Sequence, residues 1–452
     1  MQVIRRLFGK VKTMLGYLKT LYRLLEMNNR AYWPRSKLLN YQNRRLRNVL
    51  RYAYDFAPFY HEQFRQAGIR PDDIKTVSDL KKLPIVRKNE IRENIDRVIS
   101  EEFKQQNLRE LSTSGSTGKP LRVVVSKDED SFRKAKHLRA NMSCGHKPLD
   151  RWVTITSPSH FSETTRLQQT LGIYAPVFVS VFADVREQLS ATAKIRPDIL
   201  DGYSSSLFML AKEADRTGVE TIRPKSIFGG AELSDDASRR FVEEVFDAPF
   251  YDQYATIEFE RMAWQCPAKF GYHIDADALI MQFVDENGEE VTEGENGEIV
   301  CTSLFNFAMP FIRYAVGDTG IPSNEECTCG RKLPIMKMIE GRKDSLLFLP
   351  NGRILSPRAF TVAIGTFPSN QYIEQYRMTQ KKTDYFEIQI VIQENVNRTA
   401  LEKELTAHLE KMLNLEANEV TFEVKFVEEI PLDKSGKLTI VGSELRQPSR
   451  AS

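Results

Sequence analysis

The segment Leu111–Pro120, Leu-Ser-Thr-Ser-Gly-Ser-Thr-Gly-Lys-Pro, sets five hydroxyl side chains and two glycines around a single lysine. Such a loop can aim backbone N–H groups and hydroxyls at phosphate oxygens, with Lys119 supplying positive charge. It is not the nucleoside-triphosphatase P-loop. Gly115 and Gly118 stand too close together, and Pro120 occupies the place of the magnesium-binding hydroxyl. On composition alone a Ser/Gly surface loop explains the segment equally well. A second constellation is Cys266, His273, Cys327 and Cys329, a Cys-x6-His pair followed by a Cys-x-Cys pair. Three thiolates and one imidazole complete a tetrahedral zinc shell and leave no ligand position for chemistry, which describes a structural site. The alternative is four unrelated thiol and imidazole groups, and the spacing differs from the common finger patterns. Cys144 and Cys301 read as small core residues.

The elements that must carry these groups alternate between strand and helix. Trp152-Val153-Thr154-Ile155 and Ser226-Ile227-Phe228 read as buried strands. Helices are expected around Leu207 to Ala214 and from Ser234, as N-cap, to Phe246. From Leu279 to Thr302 the pattern becomes strands broken by turns, with Asn287-Gly288 and Asn296-Gly297 as turn signals. Beyond residue 342 a strand containing Phe-Glu-Ile-Gln-Ile-Val-Ile, a charged helix from Thr399 to Leu413 and a strand Val-Thr-Phe-Glu-Val-Lys-Phe-Val follow. The reading is an α/β protein: a large multilayer N-terminal domain, residues 36–341, and a small α+β C-terminal domain, residues 342–452.

The first 35 residues stand apart. Ile4, Leu7, Val11, Met14, Leu15, Leu18, Leu21 and Leu25 recur at helical spacing, with Arg5, Arg6, Lys10, Lys12, Lys19 and Arg23 between them. Cations interrupt the apolar residues throughout, so this is neither a signal-peptide core nor a spanning helix. It reads as an amphipathic helix packed on its own domain, or as one lying on an anionic membrane surface. In the whole chain 64 basic and 61 acidic residues give a net charge of +3, which provides no reason to expect nucleic acid. Five cysteines in 452 residues do not make a disulfide scaffold, so the expected location is cytoplasmic, with membrane association through residues 1–30 as the second possibility.

Six ordered motifs resemble those of the adenylate-forming superfamily, which includes acyl-CoA synthetases. Ser-Gly-Ser-Thr-Gly-Lys-Pro from Ser114 is similar to its phosphate loop. Phe228-Gly229-Gly230-Ala231-Glu232 resembles the adenine-cradling strand and turn, and Tyr254-Ala255-Thr256-Ile257-Glu258 resembles the Y-G-x-T-E motif. Arg313 to Asp318 resembles R-Y-x-x-G-D, Gly341-Arg342-Lys343-Asp344 the G-R-x-D hinge, and Ser435-Gly436-Lys437 the C-terminal lysine motif. The segment Asn48–Asn94, with its Pro-Phe-Tyr, is similar to the phenylacetate-CoA ligase and capsular-polysaccharide ligase-like branch.

The resemblance implies ATP, Mg²⁺ and coenzyme A as co-substrates and cofactors. Thr113, Ser114, Gly115, Ser116, Thr117, Gly118 and Lys119 would hold phosphates. Gly229, Gly230, Ala231, Glu232, Tyr254, Ala255 and Thr256 would surround the nucleotide, with Asp318 on the ribose and Arg342 on the phosphate or ribose side. Glu258 would bind magnesium, a hard cation that favours carboxylate oxygen, and Lys437 would reach the acid and the α-phosphate. His160, Tyr203 and Ser204 would line the acid pocket, and Lys343 and Asp344 would form the hinge. Similar ligases pair the same kind of Cys/His segments, which favours zinc at Cys266, His273, Cys327 and Cys329. Ala255 and Ile257 depart from the family pattern, with Thr256 displaced by one, so a hydroxyl is missing beside the adenylate or supplied differently. The expected activity is acid activation followed by transfer to coenzyme A. The alternatives are transfer to an amine, such as a surface-polysaccharide precursor, and a catalytically silent adenylate-binding scaffold.

Overall fold

The structure is a computed structural model. It describes residues 19–112, 121–158, 166–232, 234–342, 346–355, 357–393, 396–416, 419–433 and 437–445, and for 166, 167, 338, 340–342, 354 and 358 the backbone alone. The chain forms two compact units, residues 1–145 with 253–339 and residues 146–252 with 340–452. As a class it is mixed α/β, with a large N-terminal sheet domain and a smaller C-terminal domain.

In the first unit, the helix Lys127–Ser143 begins at a reciprocal cap. Ser126 Oγ accepts the Glu129 N–H, and Glu129 Oε2 accepts the Ser126 N–H at 2.6 Å. Asp128, Glu129 and Asp130 in its first turn complement the helix dipole. This helix carries Arg133, Lys136 and Arg139 into the interior. The unit's sheet runs in the order Leu279–Val284, Gly297–Ser303, Tyr314–Ser323, Ile335–Arg342, Tyr272–Ile274, Glu260–Gln265. Its measured pairs are antiparallel, with Leu279 opposite Ser303 and Ile335 opposite His273. The Asn287-Gly288 turn is present, with Gly288 at a φ of +80° and Asp285 collecting the N–H groups of Asn287 and Glu289. The second expected turn is displaced: Gly294 takes the positive φ, and Gly297 opens the strand. A Cβ on Gly297 would lie 2.9 Å from the Phe283 carbonyl carbon, so this glycine serves close strand approach.

A separate hairpin, Arg109–Ser112 with Arg122–Val125, pairs Ser112 opposite Arg122. It brings together the two ends of the 113–120 loop, which itself lies outside the described residues.

In the second unit, four parallel strands run in the order Pro176–Ser180, Trp152–Thr156, Ile199–Tyr203, Ser226–Gly230. Burial on both faces explains the continuous apolar runs of Trp152–Thr156 and Ser226–Gly230. The helix Ser204–Thr217 spans the expected Leu207 to Ala214 region. The next helix, Asp236–Phe246, is capped by Asp235 rather than Ser234, its carboxylate accepting the Ser238 N–H at 2.8 Å. A carboxylate one residue later supplies the stronger acceptor. The same unit contains a four-stranded sheet in the order Thr421–Phe426, Tyr385–Ile392, Ile373–Lys382, Val441–Ser443, covered by the helices Pro357–Gly365 and Arg398–Met412.

The helix through residues 19–30 packs on its own unit, but not through Leu21 and Leu25, the two residues of the sequence-read stripe that lie within it. Leu24 and Met27 are buried, whereas Leu21 and Leu25 face outward. Among the described residues no helix is long and apolar enough to cross a membrane.

Candidate functional site

Glu258 follows the strand Phe250–Thr256 and is buried. Three donors fix its backbone turn through carbonyl oxygens. Arg133 donates to Ile257 O at 3.0 Å, Asn306 to Glu258 O at 3.0 Å, and Lys136 to Phe259 O at 2.6 Å. Burial pushes the Lys136 ammonium down to about 8. The Glu258 carboxylate is therefore aimed by its backbone. Oε1 accepts the Tyr314 hydroxyl at 2.8 Å, and the Lys88 ammonium stands 3.6 Å away. No hydrogen-bond donor among the described residues meets its second oxygen, which leaves a hard ligand atom for a cation such as Mg²⁺. Burial, and then the neighbouring carboxylate, raise the Tyr314 phenol far above its usual value, so it stays a donor.

Thr256 shows what became of the displaced hydroxyl. Its Oγ1 accepts the Phe259 N–H at 3.3 Å, so it closes the turn, and Ile257 packs against the core. Asp318, the expected ribose ligand, accepts the Tyr254 hydroxyl at 2.6 Å. Burial and the Asp318 charge hold the Tyr254 phenol protonated. Two residues 64 positions apart thus form one hydrogen-bonded pair, with Tyr254 orienting the carboxylate.

Within the second unit, Glu232 joins two segments. Its Oε2 accepts the Ser205 N–H at 3.0 Å, at the start of the helix Ser204–Thr217. Its Oε1 accepts the Leu438 N–H at 2.7 Å, next to Lys437. Burial raises the Glu232 carboxyl, opposed by these N–H groups and by the Lys437 charge. The loop before Leu438 closes on itself, Asp433 N–H donating to Lys437 O at 2.8 Å and Lys437 N–H to Asp433 Oδ1 at 3.0 Å. The Lys437 ammonium lies 5.7 Å from the centre of the Tyr203 ring, a cation–π distance. Tyr203 and Ser204 are buried. The turn that presents Glu232 depends on Gly229, where a Cβ would sit 2.0 Å from the Phe250 ring, and on Ala231, held at a φ of +68°.

Cys266, His273, Cys327 and Cys329 converge, with all four ligand atoms within 4.8 Å of one another. Cys266 Sγ and Cys327 Sγ are 3.6 Å apart, and Cys329 Sγ is 3.2 Å from His273 Nε2. Tetrahedral zinc with Zn–S of about 2.3 Å would separate two thiolates by about 3.8 Å, so the donor set fits the ion. Burial, then the Arg331 charge, hold the His273 imidazole down to about 4, in the neutral form that ligates metals. Burial raises the Cys266 thiol to about 12. Burial also acts on Cys329, but hydrogen bonds with Arg331, Cys327 and Cys266 together outweigh it and the thiol is lowered. Cys144 and Cys301 are buried and are not part of this cluster, although Cys144 lies near it, its Sγ donating to Gln265 O at 3.3 Å.

Several expected residues lie outside the described structure: Thr113 to Lys119, His160, Lys343 and Asp344, together with the Arg342 side chain. The structure adds residues that sequence reasoning missed. Tyr314 sat unassigned inside the R-Y-x-x-G-D motif, where its position was a usable signal. Lys88, Arg133, Lys136 and Asn306 carried none, since each reads as an ordinary surface polar residue until the fold brings it to a carbonyl or carboxylate.

Residues 347–444 match the family model of the CapK C-terminal domain. The chain is 28% identical over 323 residues to a phenylacetate-coenzyme A ligase of Thermus thermophilus, covering 70% of this chain and 73% of the relative. It is 24% identical over 456 residues to Protein CapK of Staphylococcus aureus, covering 96% of this chain and 93% of the relative. Its fold matches the crystal structure of a 2-hydroxyisobutyryl-CoA ligase in the postadenylation state, with a TM-score of 0.77 at 20% identity over 92% of this chain and 91% of that one.

Proposed function

We propose that this chain, which is similar to phenylacetate-coenzyme A ligases and to Protein CapK and matches the CapK C-terminal domain over residues 347–444, activates a carboxylic acid with ATP and passes the acyl group to coenzyme A. In the first step a carboxylate oxygen attacks the α-phosphorus and pyrophosphate leaves. In the second the thiol sulfur attacks the acyl carbon and AMP leaves. The two reactants of the first step are both anions, so fixed positive charge and N–H donors lower its barrier most.

The observation that carries this reading is the Glu232 junction. It gathers the Tyr203–Ser204 strand end, the Gly229–Glu232 turn and the Lys437 loop, three segments far apart in the chain. Lys437 is assigned to the charge that develops between acid and α-phosphate, Asp318 to the ribose hydroxyls with Tyr254 behind it, and Arg342 to the phosphates. Glu258, aimed by Tyr314, is the residue that would hold Mg²⁺, which supplies charge neutralisation on the phosphates when bound. The loop Thr113–Lys119 is assigned to the leaving phosphates, and His160 to the acid carboxylate. The segment from residue 342 on is assigned the role of a small mobile domain turning about Lys343 and Asp344, which withdraws Lys437 for the second step. Cys266, His273, Cys327 and Cys329 would hold a structural Zn²⁺.

A second acceptor is favoured by one observation: the match to CapK runs over 96% of this chain, and its C-terminal segment matches the CapK C-terminal domain. An amine on a surface-polysaccharide precursor would take the acyl group in place of the thiol, with every adenylation residue unchanged.

The deciding experiment measures acid-dependent pyrophosphate release over a panel of aryl, fatty, hydroxy and amino acids, with and without coenzyme A. Lys437→Ala should abolish release while ATP binding and melting temperature stay near wild type. Normal release by this variant removes Lys437 from the reaction. ATP binding without release from any acid would transfer the weight to the scaffold reading.

A further inference from the structure

One side of the helix through residues 19–30 is clamped to its own unit. Leu24 and Met27 are buried, Lys19 and Arg23 pair with Asp128, and Arg30 donates to Asp277 at 2.9 Å. The opposite side presents Leu21, Tyr22 and Leu25 at 51%, 61% and 59% exposure, and Tyr32 follows at 53%. Four large apolar groups clustered in twelve residues and left in water are a feature that a partner explains.

Two sequence facts select the partner. Leu21 and Leu25 continue, at spacings of three and four, the series Ile4, Leu7, Val11, Met14 and Leu18. Charge is also segregated. The first 54 residues hold thirteen lysines and arginines against one acid, Glu26, a surplus of twelve; since the chain's net charge is +3, the other 398 residues carry −9. Beyond the helix, the Lys37 ammonium sits 4.1 Å over the Trp33 ring and the Arg44 guanidinium 5.6 Å over Tyr41, aromatic–cation pairs suited to a headgroup layer.

We propose that this N-terminal segment docks the protein on an anionic lipid surface. The Leu21–Leu25 face enters the headgroup–acyl boundary, and the cations of this segment other than Lys19, Arg23, Arg30 and Arg51, which pair with Asp128, Asp277 and Asp72, meet lipid phosphates. A second copy of the chain fits poorly. Pairing two such series would set Arg5, Arg6, Lys10 and Lys12 against the same four cations, with no acid among residues 1–25. A nucleic acid satisfies the charge but leaves the exposed leucines in water.

The test is flotation of the full-length protein with vesicles of phosphatidylcholine alone or with added phosphatidylglycerol. Binding is expected only to the phosphatidylglycerol vesicles and should weaken with salt. The double variant Leu21→Glu/Leu25→Glu should bind about tenfold or more weakly, and Lys10→Glu/Lys12→Glu should also bind more weakly. Both variants should keep the wild-type melting temperature and pyrophosphate release. Absence of binding to anionic vesicles, or binding that ignores the leucine pair, overturns the proposal. So does a concentration-dependent dimer that the leucine pair abolishes, or duplex DNA binding that competes with the vesicles and survives the leucine substitutions.

Discussion

Replacing Glu232 by glutamine keeps the size of the side chain and removes one acceptor from the junction between Ser205 and Leu438. The amide oxygen can still take one N–H, but its NH2 group then faces the other, donor against donor. A hydrogen bond to a charged group contributes about 1.5–3 kcal/mol, and each ~1.4 kcal/mol is tenfold in rate. Adenylate formation by Glu232→Gln is therefore expected to fall roughly 10- to 100-fold, because Lys437 is no longer held beside Tyr203. On the proposed assignment the second half-reaction does not use Lys437, so thioester formation from supplied acyl-adenylate and coenzyme A should change less than about twofold. A pH profile gives an independent reading. Burial raises the Glu232 carboxyl, and the ionised form is the one that accepts both N–H groups well. Wild-type adenylation should thus decline on the acid side at a pH above the ordinary carboxylate range, and the glutamine variant should lack that limb. Unfolding does not mimic this decline. A carboxyl raised in the folded state contributes its stability below its unfolded pKa of about 4.3 and loses it as pH rises through the folded pKa, so in this group stability and activity move in opposite directions. Equal loss in both half-reactions, or an acid limb that persists in the variant, would refute the junction as a positioning device.

The remaining predictions concern the first unit. Tyr254→Phe removes the donor to Asp318 and should raise the KM for ATP about tenfold with little change in kcat; an unaltered KM in ATP–pyrophosphate exchange counts against the ribose assignment. Tyr314→Phe leaves the core filled but frees the Glu258 carboxylate, so the magnesium concentration for half-maximal activity should rise roughly tenfold. A magnesium titration identical to wild type would detach Tyr314 from the cation. Cys327→Ser should lose bound zinc and melt at least about 5 °C lower, while Cys144→Ser keeps its metal. Elemental analysis that finds no zinc in the wild-type protein removes the site.

The sequence was most readable where local pattern and tertiary demand coincide. The parallel strands Trp152–Thr156 and Ser226–Gly230 are buried on both faces, so their apolar runs identified them without further information. Three cysteines and a histidine have few other reasons to meet, and the structure brings their candidate ligand atoms within 4.8 Å of one another. Of the N-terminal stripe only Leu21 and Leu25 lie among the described residues, and they face outward for a physical reason. Eight apolar residues at helical spacing define two adjacent faces, and periodicity alone does not tell which one a neighbouring helix covers. Leu24 and Met27 won because Lys19, Arg23 and Arg30 find Asp128 and Asp277 on that side. The Ser234 cap lost to Asp235 by one residue, within the ordinary uncertainty of a helix end.

What sequence did not show is a second tier of residues whose chemistry exists only in the fold. Arg133, Lys136 and Asn306 touch carbonyl oxygens, not side chains, and carbonyls carry no sequence signature. Their arrangement nonetheless bears on the unusual Tyr-Ala-Thr-Ile-Glu segment. Thr256 spends its hydroxyl on the Phe259 N–H, and Ile257 is turned into the core, so the segment has no side-chain hydroxyl left to steady the Glu258 turn from the nucleotide side. Three buried donors steady it from behind instead. Two of them are cations in a low-dielectric interior, where a hydrogen bond to a carbonyl is stronger than in water and its loss leaves a buried charge unpaired. The departure from the family pattern is therefore compatible with a well-placed Glu258, because the positioning task has moved from the motif to the helix Lys127–Ser143. On this argument, restoring the family pattern with Ile257→Thr should not raise adenylation, whereas Lys136→Met should lower it about tenfold or more without altering ATP affinity. A rise in the first variant would show that the missing hydroxyl, not the turn behind it, limits the reaction.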